Sequence, residues 1–182
     1  ESEKQLTAYT CQRELLAPYG EQSNQANHAE IMWRYMTSTN ETQSRVGVEV
    51  IATLQTDELF QPATLTSQTS FTSGNISIYS PKGTWLDSET NAPTANANAI
   101  LCHFSNGTSY LEIPHPMDAH GFTLNCNGPS TRWEFLLLDQ KLEKGVIHRA
   151  RIQGWWCSDL LTQDAASELI ASLANSPLPL TH

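Results

Sequence analysis

Between residues 46 and 55 the chain alternates without a break: Val46, Val48, Val50, Ala52 and Leu54 against Gly47, Glu49, Ile51, Thr53 and Gln55. A period of two puts the first set on one face of a strand and the second on the other. Seven further β-type runs follow, at 64–72, 75–79, 99–104, 109–113, 121–126, 132–138 and 146–153. Gly74, Pro81-Lys82-Gly83, Asn106-Gly107, Pro114 with Pro116, Gly128-Pro129 and Gly145 separate them, and Asn106-Gly107 marks a hairpin because both residues tolerate positive φ. No helical stretch lies between the runs, and their spacing is that expected of an antiparallel sheet. The expected fold is mainly β: one antiparallel β-sandwich or barrel of about eight strands over residues 45–153. The segment 88–98, rich in Asn, Ala and Thr, reads as the longest irregular loop and the most mobile.

Two helices are expected to flank the sheet. In residues 21–37, Ala29, Met32, Trp33 and Met36 stand at i, i+3, i+4 and i+7 without Pro or Gly. In residues 158–174, Ser158 or Asp159 is a candidate N-cap, and Leu161, Ala165, Ala166, Leu169, Ile170 and Leu173 form an apolar stripe that ends at Asn175-Ser176-Pro177. Residues 1–20 form an N-terminal arm and 177–182 a frayed tail of a single domain spanning 1–182, a length that can bury roughly 70% of its unfolded surface.

Of the 182 residues, 17 are Ser, 19 Thr, 11 Asn and 11 Gln, whereas Lys and Arg together number only 10 and the formal charge is -9. No apolar run approaches the roughly 20 residues of a membrane-spanning helix, so no span is expected. Without a basic run, the chain lacks the electrostatic footprint of a nucleic-acid binder. Cys11, Cys102, Cys126 and Cys157 are an even set without zinc-site spacing, which suggests two disulfides. Three pairings are open, and the nested one joins Cys11 to Cys157 and Cys102 to Cys126. Strand phase turns Cys102, with Ile100 and Phe104, and Cys126, with Phe122 and Leu124, toward the core. Glycosylation sequons occur at Asn40, Asn75 and Asn106. In so Ser/Thr-rich a chain about two would arise by chance, so the expectation of a secreted, extracellular glycoprotein leans chiefly on the cysteines. The chain opens on Glu1 with neither an initiator Met nor an apolar signal core, which fits a segment already removed.

Few residues suggest chemistry. The loop from Pro114 to His120 carries His115, Asp118 and His120, but no spacing forces them onto one ion and no further ligand is identifiable, so neither metal nor other cofactor is expected. If residues 132–138 and 146–153 pair as a hairpin, Glu134 and His148 become diagonal neighbours fit for acid/base work. Arg149 and Arg151 would then share the other face, either solvating it or holding an anion. Trp155-Trp156 reads as an aromatic plug over a disulfide.

Tyr9-Thr10-Cys11 followed by a helical segment, Pro114-His115, Gly121-Phe122, Trp133-Glu134-Phe135 and Gly145-Val146-Ile147-His148 resemble, in order, elements of secreted fungal guanyl-specific ribonucleases and of the RNase-like effectors of fungal plant pathogens. The resemblance implies that His115 and Glu134 share proton transfer from the ribose hydroxyl, that His148 protonates the leaving oxygen and that an Arg such as Arg149 binds phosphate. It implies also that these side chains converge in one cleft, in an RNase-like hydrolase or a catalytically dead effector. Eight antiparallel strands and a C-terminal helix are similar, in architecture only, to lipocalin-type barrels, whose Gly-x-Trp is matched by Gly83-Thr84-Trp85. No nucleophile motif stands out. The leading expectation is therefore a non-enzymatic, effector-like binding protein that takes either a small apolar ligand inside a barrel or a partner protein at its surface.

Overall fold

The computed structural model describes residues 9–11, 14–19, 27–40, 43–87, 96–126 and 130–177. All eight expected strands form. They are β4 (Gln43–Thr56), β5 (Gln61–Phe71), β6 (Asn75–Tyr79), β8 (Ala99–His103), β9 (Ser109–Pro114), β10 (Gly121–Asn125), β11 (Thr131–Leu142) and β12 (His148–Cys157). Four more join them: β1 (Tyr9–Cys11), β2 (Glu14–Tyr19), β3 (Asn27–Asn40) and β7 (Trp85–Asp87). One sheet runs β1-β2-β3-β4-β12-β9-β8-β6-β7 and a smaller one β10-β11-β5, with every strand pair antiparallel. Neither sheet closes on itself, so the barrel alternative gives way to two stacked sheets.

The stacking follows from alternation. Ile76, Ile78, Ile100, Cys102, Tyr110, Ala150 and Ile152 leave one face of the large sheet and meet Phe122, Trp133, Phe135 and Leu137 of the small one. From the opposite face Ala99, Leu101, Leu111, Ile113 and Trp155 meet Leu161, Ala166, Ile170 and Leu173 of helix α1 (Gln163–Ala174). Strands β8 and β9 are covered on both faces, which is why Ala99-Ile100-Leu101-Cys102 reads as an unbroken apolar run. Burying a side chain such as Ile100 or Leu111 contributes about 1.5–3 kcal/mol.

The expected N-terminal helix is corrected. Residues 27–40 are β3, paired over fourteen rungs with the fourteen residues of β4. The segment also alternates Ala29, Ile31, Trp33, Tyr35 and Thr37, and these are mostly β-branched or aromatic, so extended pairing satisfies both the apolar face and the exposed edge of β4. The C-terminal helix starts later than expected. Ser109 Oγ accepts from Leu161 N–H at 2.9 Å and donates to Asp159 O at 2.8 Å. That clamp holds the chain extended until Thr162, the actual N-cap, whose hydroxyl accepts from Ala165 N–H. The helix ends at Asn175 as its sequence suggests.

Two further expectations change. Strands β11 and β12 are not a hairpin: β11 pairs with β10 and β5, whereas β12 pairs with β4 and β9. Leu142 is fully buried, and Gly145, at φ 75°, donates to Thr56 O, so the connection carries the chain from one sheet to the other. The Cys102–Cys126 bridge does not form either. Cys102, Cys126 and Cys157 are free thiols. Cys102 lies in the core beneath Gly74, where an added Cβ would sit 2.3 Å from its Sγ, whereas Cys126 falls just beyond the end of β10 and is exposed. Cys157 is likewise a buried free thiol and not the partner of Cys11, whose side chain lies outside the described residues. Most of the 88–98 loop and of the 177–182 tail also lie outside them.

Candidate functional site

The expected catalytic residues fall in three places. Glu134 sits on β11 opposite Thr123 and Gln68, between the inward-pointing Trp133 and Phe135, and so lies on the outer face of the small sheet. His148 opens β12 in the large sheet opposite Leu54, with its ring against the Gln140 amide. Arg149 follows it on the other face, opposite Thr53. His115 follows β9 and donates its main-chain N–H to Arg151 O at 2.9 Å. The converging cleft is therefore not assembled, because the hairpin needed to bring Glu134 beside His148 does not exist. What the structure brings together is His115 and Arg151.

These two belong to a buried polar row on the helix side of the large sheet. Register places Arg34, Glu49 and Gln153 side by side across β3, β4 and β12. Glu49 accepts from Arg34 Nη1 at 3.1 Å through Oε2 and from Gln153 Nε2 at 3.0 Å through Oε1. Gln153 Oε1 in turn accepts from Trp155 Nε1 at 3.1 Å. Buried carboxylates persist only when satisfied in this way. One step along β12, Asp118 Oδ2 accepts the main-chain N–H of Arg151 at 2.8 Å. Burial raises the Asp118 pKa, while that hydrogen bond and the charges of His115, Arg151 and His120 work against the rise. His115, also buried, has its pKa lowered, first by desolvation and then by the Arg151 charge, against the opposing pull of Asp118 and Glu49. Its Nδ1 accepts from Met117 N–H at 3.3 Å, so the remaining proton of the neutral ring sits on Nε2. Among the described residues no group of three or more His, Cys, Asp and Glu could hold a metal ion.

A second buried acid stands between the sheets. Glu112 is fully buried on the sandwich face of β9, and its Oε2 accepts from Thr69 Oγ1 at 2.6 Å and from Tyr110 Oη at 2.9 Å. Oε1 and the nearby Trp133 Nε1 are both buried without a hydrogen-bond partner. Desolvation raises the Glu112 pKa despite these donors and Ser67, and it raises that of Tyr110 as well. Tyr110 reaches the carboxyl because Gly154, its neighbour on β12, has no side chain: a Cβ there would lie 2.6 Å from the Tyr110 hydroxyl. Phe71, Trp133 and Trp156 enclose the Tyr110 ring at 5.1, 6.2 and 4.7 Å.

Trp156 also faces outward. Cross-strand pairing puts Trp156, Val46 and Thr37 in one row and Gly154, Val48 and Tyr35 in a neighbouring row of the same phase. Tyr35, Val46 and Trp156 are 47%, 39% and 44% exposed. They form an apolar surface where the large sheet extends past the small one. Trp155, by contrast, is buried against α1, and a Cβ at Gly47 would strike its ring at 2.7 Å. The pair expected as one plug is split by strand alternation between core and surface. Elsewhere, an open pocket of about 390 Å³ is lined by Ser73, Gly74, Asn75, His103, Phe104 and Leu160, where the His103 ring already meets Leu161 O at 2.8 Å.

Glu112, Glu49 and the buried state of Arg151 escape a reading of the sequence by residue type. Glu112 carried one usable signal: it shares the phase of Tyr110 within an otherwise apolar run. No protein-family model and no curated protein matches this chain. No helix among the described residues is long and apolar enough to cross a membrane.

Proposed function

We propose that this chain is a non-enzymatic, effector-like extracellular binding protein that recognises a partner protein through the Tyr35, Val46 and Trp156 surface. The observation that carries the reading is the exposure of two aromatic side chains and a valine on one continuous face of paired strands. Tyr and Trp contribute large contact area for little conformational entropy, and they dominate the energetics of protein interfaces. Strands hold the three side chains in fixed register, so the surface is organised before a partner arrives. The alternative of a small apolar ligand inside a barrel lacks its container, since the space between the sheets is filled by Phe71, Phe122, Trp133 and Phe135. The extracellular part of the reading rests on the sequons, of which Asn75 and Asn106 are exposed, and no longer on the cysteines, since Cys102, Cys126 and Cys157 are free thiols.

Site-specific photo-crosslinking tests it. A photoreactive residue at position 35 should capture one partner protein from the medium of the source cells, and a Val46→Glu substitution should abolish that capture. The same probe at Thr66, exposed on the small sheet, should not capture that partner. Equal capture from both positions, or capture from position 35 that survives Val46→Glu, would show that this face is not the recognition surface.

A further inference from the structure

Arg151 is 2% exposed, yet only one side of its guanidinium is held: Nη1 donates to Ser176 Oγ at 3.0 Å and to Pro177 O at 3.1 Å, at the end of α1. Nε and Nη2, on the other edge, are both buried and meet no acceptor among the described residues. In a planar guanidinium these two N–H groups point the same way and form the fork that matches the two oxygens of a carboxylate. The neighbouring acids are already committed. Both oxygens of Glu49 are taken by Arg34 and Gln153, and Asp118 bonds the main chain of Arg151. No described carboxylate forms an ion pair with the guanidinium. A buried cation with two parallel donors that meet no acceptor among the described residues is among the costliest arrangements a protein interior can hold, unless an acceptor occupies the fork.

We propose that Arg151 is a binding site for a small carboxylate, held bidentate by Nε and Nη2 beneath the loop from Pro114 to His120. The loop packs against the main chain of Arg151: Asp118 accepts its N–H and the buried His115 donates to its carbonyl, while Pro116 and Met117 are exposed. Because Arg151 and Trp156 differ by an odd number of residues on β12, this site and the proposed partner surface lie on opposite faces of the sheet. The failure of either leaves the other standing.

The test uses the whole protein at neutral pH and constant ionic strength, titrated with sodium acetate or formate in exchange for chloride, with phosphate as a further comparison. The thermal midpoint should rise saturably with either carboxylate, as expected of a ligand bound only by the folded state. Arg151→Met should lose that response. Arg151→Lys, which keeps the charge and loses the fork, should lose it too. A wild-type midpoint unmoved by carboxylate, an equal rise with phosphate, or an undiminished rise in Arg151→Lys would overturn the proposal. If neither variant folds, the wild type decides: the carboxyl resonance of 13C-acetate should broaden saturably at one site per chain, and a response linear in protein concentration with no saturation overturns the assignment.

Discussion

Replacing Gly154 with Ala places a methyl group where the Tyr110 hydroxyl already is. The added Cβ would lie 2.6 Å from Oη and 3.3 Å from Cε2 and Cζ, and the first of these distances is not tolerated. The ring has nowhere to go, since Phe71, Trp133 and Trp156 pack around it. It must slide, and its 2.9 Å hydrogen bond to the buried Glu112 breaks. Overpacking costs about 1–3 kcal/mol and stripping a donor from a buried acceptor a similar amount, while the stiffer unfolded chain returns about 0.4–1 kcal/mol. The two penalties overlap, so a net loss of about 2–4 kcal/mol is expected, or roughly 5–15 °C in thermal midpoint for a chain of this size. Thermal and urea unfolding followed by tryptophan fluorescence provide the assay. Tyr110→Phe, which removes the clashing oxygen, should itself be destabilising but should reduce the further cost of Gly154→Ala to under about 1 kcal/mol. The reasoning fails if Gly154→Ala is neutral in the wild type, or if it costs as much in Tyr110→Phe.

Other consequences follow from the buried groups and the helix cap. Because Glu112 binds its proton more tightly when folded, its contribution is complete below the ordinary glutamate value of about 4.5 and declines as pH rises above it. Glu112→Gln should therefore gain stability relative to wild type between pH 4 and pH 8 in urea titrations, and a constant difference would refute the assignment. Burial pushes the Cys102 and Cys157 thiols up to about 11, so iodoacetamide at pH 8 should label Cys126 well before either, as peptide mapping would show. Removing the hydroxyl of the helix cap in Thr162→Ala should cost about 0.5–2 kcal/mol by urea unfolding, and a neutral result would place the cap elsewhere.

The strands could be read from sequence because alternation survives even where neighbours are unknown: Val46 to Leu54 and Asn75 to Tyr79 form where their periods place them. Residues 27–40 could not, since Ala29, Met32, Trp33 and Met36 satisfy a helical period while Ile31, Trp33 and Tyr35 satisfy an extended one. Only the exposed edge of β4 decides between the two, and a partner strand is not a local property. Pairing failed for the same reason: a short connection between β11 and β12 suggested a hairpin, whereas burial of Trp133, Phe135 and Leu137 against Ala150 and Ile152 stacks the two strands face to face. The candidate sites were half legible. His115 and the two arginines stood out by type, but that Arg151 is buried, and has no carboxylate partner among the described residues, depends on α1 folding over its strand. Trp155 and Trp156 could have been separated from the outset, because consecutive residues in a strand must face opposite ways.

Recognition at the Tyr35, Val46 and Trp156 surface is what a binding measurement tests. Its most direct test is the affinity of the partner captured from position 35 for three proteins: the wild type, Val46→Glu and, as a charge-matched control on the small sheet, Thr66→Glu. The account predicts at least a tenfold loss with Val46→Glu, about 1.4 kcal/mol of interface, and wild-type affinity with Thr66→Glu. Equal affinity for all three would contradict it.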